Sequence, residues 1–485
     1  MRQEVTKKNV ISSLLWKLLE RGGTQGIQFI VTIVLARILL PEEFGIIVLI
    51  TIFISIAEIF VQSGFNTALI QKKDVDETDF SSVFYLSLLV ACILYILLFF
   101  TAPFIADFFG EPGLDSVLRV LSITLFLGAI NSIQIAVISR KMQFKKLFTS
   151  SFGAVIISAI VGIGMAYNNY GVWALVGQQL SNKLTVTVIL WFTVKWRPKL
   201  IFSFERVKSL FSFGWKILVS NLLDILYKNL QSLIVGRIYN SATLGFYNRG
   251  EQFPKLIVSN IDGSIQSVML PTLSSYQDNK EKFKDIVRRS VVTSSFIIFP
   301  LMTGMAIVAE PLIRIILTDK WLPAVPFLQI FCASYALWPI HTANLQAINA
   351  LGRSDLFLKL EVIKKIVGLI ILGISIPFGV YALALGVLIA SIISIFINAY
   401  PNSKIINYSI IEQFKDIVPS LILSSVMGIL VYFIKYLELG TLLTLLLQIL
   451  FGVIIYIGLA KLFRLECYIY LINTGKELLK RKKLN

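Results

Sequence analysis

The side chains in this sequence that most call for a chemical explanation are charges set inside apolar stretches. The segment SSLLWKLLERGGTQGIQFIVTIVLARIL, residues 12–39, carries Lys17, Glu20 and Arg21 in its first half, yet its second half is apolar enough for lipid. At about 100° per residue, Ser13, Lys17, Glu20, Arg21, Thr24, Gln28 and Thr32 fall on one stripe. Leu14, Leu15, Leu18 and Ile30 lie opposite. A later segment opens with the same Trp-Lys pair, Trp215-Lys216 against Trp16-Lys17. Its own stripe is Lys216, Ser220, Asp224, Tyr227 and Gln231, within about 80° of one another. Lys228 adds a cation to that same segment and Lys183, Arg249 and Lys255 add cations to others, and Glu20, Glu58, Asp224, Glu251 and Asp262 are their acidic partners and the candidates for ion coupling. Cations on polar faces suit an anionic solute. Thr24, Gln28, Tyr227 and the neighbouring Gln25, Asn66, Gln178, Asn182, Asn221 and Asn229 suit one rich in hydroxyls.

Other chemistry is sparse. The single histidine, His341, sits in an apolar run, so no histidine-based metal site can be built. Cys92, Cys332 and Cys467 are scattered, without metal or redox spacing, and read as small buried hydrophobes. Asp74 and Asp76 have the DxD spacing of metal–nucleotide-sugar sites, but they stand in the charged loop KKDVDETD, which reads as a solvated turn. No catalytic residue, metal or cofactor is assigned, and the chain is not read as an enzyme.

The elements that position these residues are membrane helices. Of 485 residues, 56% are hydrophobic and 15% charged, against roughly 25% charged in soluble domains. The mean hydropathy is +0.79. About 14 apolar spans, from 11–38 to 440–463, suit a hydrocarbon core of about 30 Å. Their continuity excludes an outer-membrane barrel, whose strands alternate apolar and polar residues. The N-terminal stretch lacks a signal-peptide core and cleavage site, so the first helix is expected to be retained.

The net charge of +17 follows topology. Roughly 30 Lys and Arg fall on the side of both termini against about six on the other, which predicts a multi-pass protein with cytoplasmic termini. Membrane lipids, not nucleic acid, are the partners of this charge.

A central charge costs about 2.5–3.5 kcal/mol on insertion scales. Five or six together approach the stability of a whole protein, about 5–15 kcal/mol. They must therefore meet water in a cavity, meet each other, or snorkel. Lys17, Arg21 and Lys216 are close enough to a helix end for either a cavity or the headgroups; Arg37 and Arg237, at helix ends, read as snorkelling.

The chain also repeats itself. ARILLPEEFG (36–45) resembles GRIYNSATLG (236–245), pairing Arg37 with Arg237 and Gly45 with Gly245. LLWKLL faces FGWKIL, YGVWALVG recurs as FGVYALALG, and QIAVISRKMQFKKL recurs more loosely as QAINALGRSDLFLKL, all in the same order. The expectation is a six-helix lobe over 1–200, a second over 201–405, two further helices over 406–465, and a basic cytoplasmic tail over 466–485. Six helices per half make the repeat parallel, with a substrate site between halves that rock in alternating access.

ARILLPEEFG, ALIQKKDVDETDFSSVFYLS, LGFYNRGEQFPKLI, MLPTLSSYQ, DKWLPAV and NALGRSD resemble the landmarks of the polysaccharide-transporter (Wzx-type) flippases. The colanic-acid and teichuronic-acid exporter branch of the superfamily that also holds MATE exporters and the lipid II flippase is the most similar. The resemblance covers about residues 10–400 and implies an all-α, MATE-like fold with a central, often cationic cavity. It implies movement of undecaprenyl-diphosphate-linked oligosaccharides across the bacterial cytoplasmic membrane, alongside a polymerase and glycosyltransferases of the same pathway. A lipid II-type flippase and a multidrug exporter are the alternatives within the superfamily, and a membrane polymerase or glycosyltransferase is the alternative from another class.

Overall fold

The computed structural model describes residues 7–62 and 64–473. Among them the secondary structure is helical throughout, and the chain divides into two compact units, Met1–Gly245 and Phe246–Asn485. The first unit holds α1 (Lys7–Ile38), α2 (Pro41–Gln62), α3 (Phe65–Gln71), α4 (Glu77–Phe109), α5 (Leu114–Leu121), α6 (Thr124–Arg140), α7 (Phe144–Tyr167), α8 (Val172–Thr193), α9 (Phe204–Ile238) and the first turn of α10 (Ser241–Ser274). The second continues α10 and adds α11 (Lys280–Ile307), α12 (Ala309–Leu317), α13 (Val325–Ala336), α14 (Trp338–Ala350), α15 (Ser354–Ser375), α16 (Val380–Ile405), α17 (Ile410–Tyr432) and α18 (Thr441–Leu462).

Nine spans among the described residues are long and apolar enough to cross a membrane, or ten with α9, whose parts Phe204–Ser212 and Gly214–Ile238 meet at 54°. This is a multi-pass membrane protein. The expected number of about 14 is not reached because α8, α10 and α15, of 22, 34 and 22 residues, are long enough but too polar, and α1 offers only the shorter stretch Gly22–Ile38 as an apolar helix. At about 1.5 Å per residue each exceeds the hydrocarbon thickness. Their polar faces are what lowers their hydropathy, and two of them, α1 and α8, build the site described below.

Helix association inside lipid rests on close packing of small residues rather than on water expulsion. The repeat motifs show this. A Cβ on Gly45, in the first turn of α2, would collide with the carbonyl oxygen of Ser241 in the first turn of α10. Reciprocally, a Cβ on Gly245 would collide with the carbonyl oxygen of Pro41. The two glycines that match in sequence thus seat the two first turns on each other. At the other end of α2, Gly64 takes a left-handed φ of 69°, and a Cβ there would lie 2.5 Å from the Gly214 carbonyl at the bend of α9.

Three basic loops gather at one end of the first unit. Arg140 Nη1 donates to the carbonyls of Leu69 (2.6 Å), Ile70 (3.1 Å) and Lys72 (2.6 Å), and Nη2 to Lys73 (3.2 Å), closing the end of α3. The linker between α8 and α9 is pinned to the start of α4 by Lys199 N–H to Ser81 Oγ (3.0 Å) and Ser203 N–H to Ser82 Oγ (2.9 Å). Trp196 of that linker buries its ring against Phe80 and Phe84. Asp76 is the N-cap of α4 in a reciprocal box with Asp79. The backbone N–H of Asp79 holds its carboxyl below the usual carboxylate range. Asp76, the second acid of the DxD spacing, is therefore occupied by helix capping. An Arg140→Ala variant should lose about 1–3 kcal/mol by leaving these carbonyls without their donor, seen as a lower Tm in detergent, with Arg140→Lys intermediate.

One expectation is corrected. Cys332 and Cys467 are buried, but Cys92 is exposed on α4. It lies beside Leu89, Ile93, Ile96 and Leu97, all exposed. That apolar face turns to lipid, which serves a small thiol as well as a protein core does.

Candidate functional site: a polar cavity in the first unit

A cavity of about 450 Å³ opens among α1, α2, α7 and α8, with Thr124 of α6 at its edge. From α1 come Glu20, Thr24, Gln25 and Gln28, of which Glu20, Thr24 and Gln28 share the polar stripe. Glu58, Ser55 and Thr51 recur on α2 at spacings of three and four, so one helix face carries all three. Asn182 and Lys183 of α8 and Ser151 and Ser158 of α7 complete the polar wall.

The charges inside it are matched. Lys183 Nζ lies 2.7 Å from Glu58 Oε1. The Lys183 side chain is 42% exposed and that of Glu58 24%, so the pair is wetted and contributes only about 1 kcal/mol or less to stability. Ser151 Oγ donates to Glu20 Oε1 at 3.5 Å, and Asn182 Nδ2 to Ser158 Oγ at 3.3 Å. Thr24 returns its hydroxyl to the carbonyl of Glu20, which leaves its oxygen as an acceptor at the cavity wall, and Thr32, outside the lining, does the same to Gln28. The Nε2 of Gln178, a largely buried side chain, has no protein partner among the described residues. Such a wall offers amide and hydroxyl groups around a wetted ion pair, which suits a polyhydroxylated, hydrated ligand better than an apolar one.

Of the residues singled out in the sequence, Glu20, Thr24, Gln28, Glu58 and Lys183 are brought together here. Lys17 and Arg21 share the α1 backbone, but their side chains lie outside the described residues, as does the basic tail beyond residue 473. Lys216, Asp224, Tyr227 and Lys228 lie on α9 and do not line this cavity. Asp224 and Lys228 pair at 2.7 Å one turn apart, and Lys216 is exposed. Arg249, Glu251, Lys255 and Asp262 belong to the second unit. Arg249 is buried under the Trp321 ring (5.2 Å) with Gln252 Oε1 at 2.5 Å. Glu251 accepts from Lys255 at 3.0 Å, and Asp262 from Gln266 at 2.7 Å. The sequence reading missed Thr51, Ser55, Ser151 and Ser158, single hydroxyls in apolar helices. Their only signal is their spacing, Ser55 to Glu58 and Ser151 to Ser158, which matters once the neighbouring helix is known.

Cysteines placed at 24, 28, 55 and 182 should react with water-soluble maleimides, and one at 30 should not. Ile30 is 61% exposed, but on the apolar side of α1. Equal labelling at 28 and 30 in membranes would mean that both faces of α1 see water.

Comparison with known proteins places this geometry. The chain has the fold of the lipid II flippase MurJ in its inward closed conformation, with a TM-score of 0.75 over 95% of this chain and 100% of that one at 16% identity. Residues 34–326 match the family described as polysaccharide biosynthesis protein, and the chain belongs to that family. It is 24% identical to the succinoglycan biosynthesis transport protein ExoT of Rhizobium meliloti (strain 1021), over 69% of this chain and 68% of that protein. It is 25% identical to the teichuronic acid biosynthesis protein TuaB of Bacillus subtilis (strain 168), over 78% of each.

Proposed function

We propose that this protein is a flippase that carries undecaprenyl-diphosphate-linked oligosaccharide repeat units from the inner to the outer leaflet of the bacterial cytoplasmic membrane, by alternating access, for surface polysaccharide synthesis. The observation that carries the reading is the cavity of hydroxyls, amides and one wetted ion pair inside a chain of the polysaccharide biosynthesis family. Its fold is shared with a lipid II flippase, and relatives such as ExoT are named transport proteins of polysaccharide synthesis. The glycan occupies polar, water-filled space while the polyprenyl chain stays in lipid. Lys17, Arg21 and Lys216 serve the diphosphate or acidic sugars, and Glu20 is the group for an ion coupled to transport. The basic loops hold both termini in the cytoplasm, and the chain works as two six-helix lobes, 1–200 and 201–405. A polymerase and glycosyltransferases of the same pathway act before and after it. The protein moves its substrate without chemical change.

Deletion of the gene should abolish surface polysaccharide while lipid-linked repeat units accumulate on the cytoplasmic face. Normal polymer in the deletion strain would overturn the proposal, and rescue of a lipid II flippase mutant by this gene would move it to that substrate.

A further inference from the structure

The second unit holds an aromatic pair that the cavity of the first does not explain. Tyr335, at the end of α13, and Trp338, at the start of α14, stack with ring centroids 5.1 Å apart and planes within 4°. Each ring is pinned to a carboxylate on α10. Tyr335 Oη donates to Glu251 Oε1 at 2.7 Å, and Trp338 Nε1 donates to Asp262 Oδ2 at 3.1 Å. Tyr335 is buried, whereas Trp338 is 41% exposed, so one face of the indole rests on tyrosine and the other is open.

The position is unusual for a tryptophan that merely meets lipid. Membrane tryptophans gather at the two interfaces. Trp338 lies near the middle of the span Asp319–Ala350. The α10 face beside it is exposed and polar, with Lys255, Ser259, Asn260 and Ser264, a face that calls for water rather than hydrocarbon. Asp262 is 5% exposed, and its Oδ1 has no donor among the described residues.

We infer that Trp338 is a sugar-binding platform: the C–H face of one pyranose ring of the translocated glycan lies on the open face of its indole. Tyr335 and Glu251 are positioning residues that keep the indole flat and fixed. An immobile aromatic face matches a ring that is apolar on its faces. The inference rests on the flippase reading and names where in the second unit the saccharide is held.

The test uses the full chain in a deletion strain, with polymer yield measured per unit of membrane-inserted protein. Trp338→Phe should stay within about twofold of wild type, and Trp338→Leu, similar in apolar bulk but without a ring face, should fall tenfold or more, at unchanged Tm. In parallel, p-benzoylphenylalanine at 338 should crosslink to lipid-linked glycan in cells, detected on the purified protein by periodate labelling, and the same group at Ile370, on an exposed apolar face of α15, should not. Equal export by the Phe and Leu variants, or phospholipid adducts alone at 338, would overturn the platform while leaving the flippase reading intact. Export that does not depend on the wild-type gene would instead overturn the flippase reading itself.

Discussion

Gly45→Ala and Gly245→Ala should each lower export tenfold or more and reduce Tm by several degrees, although each adds a single methyl group. The added carbon meets a backbone carbonyl, Ser241 in the first case and Pro41 in the second. A backbone carbonyl in a first helical turn cannot rotate aside as a flexible side chain can, so the helices themselves must separate. Overpacking of this kind costs about 1–3 kcal/mol where side chains can adjust, and more where they cannot, out of a total stability of about 5–15 kcal/mol. Gly22→Ala and Gly26→Ala are the matched controls, because nothing lies within 4 Å of a Cβ at either position. Both should be neutral, or should strengthen α1 by up to about 1 kcal/mol through helix propensity. Thermal melting of detergent-purified protein and polymer yield read the two effects. Equal behaviour of all four variants would mean that the reciprocal packing of α2 and α10 is not required.

Lys183→Ala should reduce export at least tenfold with little change in the amount of folded protein. The pair with Glu58 is wetted, so its loss costs stability only about 1 kcal/mol or less. Its loss for transport is larger, since it leaves a carboxylate alone at the centre of a cavity proposed to receive an anionic lipid-linked sugar. Two like charges about 4 Å apart repel by about 4 kcal/mol at an effective dielectric of 20. Lys183→Arg should retain much activity, because a second cation of similar reach keeps the pairing. Glu58→Gln combined with Lys183→Ala should recover part of what the single variant loses, since the repelling carboxylate is gone. If the single variant exports normally, or the double is as poor as the single, the pair is structural. The measurement is again polymer yield per inserted protein, with a Lys461→Ala control at the end of α18.

The Wzx-like landmarks explain why family could be read from sequence while the site could only be approached. Motifs such as ARILLPEEFG stand at helix ends, where turns, glycine contacts and caps demand particular residues at fixed spacing. Asp76 and Asp79 box the start of α4, and Gly45 and Gly245 seat one repeat motif on the other. Those demands are local and legible in order along the chain. Side chains that line a cavity are selected by what stands opposite, and a linear pattern does not carry that.

The helical membrane class, the polar stripe of α1 and the internal repeat were legible along the chain, because helix period, hydropathy and residue spacing are properties of a single segment. The same pattern put Glu20, Thr24 and Gln28 on one face and raised Glu58 and Lys183 as charges in need of partners. It took the packed helices to reveal that Glu58 and Lys183 answer each other across 125 residues, that Asp224 is paired with Lys228 on α9, and that Arg249 is buried under Trp321. Packing alone placed Trp338 on Tyr335 with its indole held by Asp262. The difference is one of range. A charge inside a membrane fixes that a partner or water must exist, through its desolvation cost. Which helix supplies the partner depends on how helices pack, and that is settled by close contacts such as those of Gly45 and Gly245, far along the chain from the charges themselves.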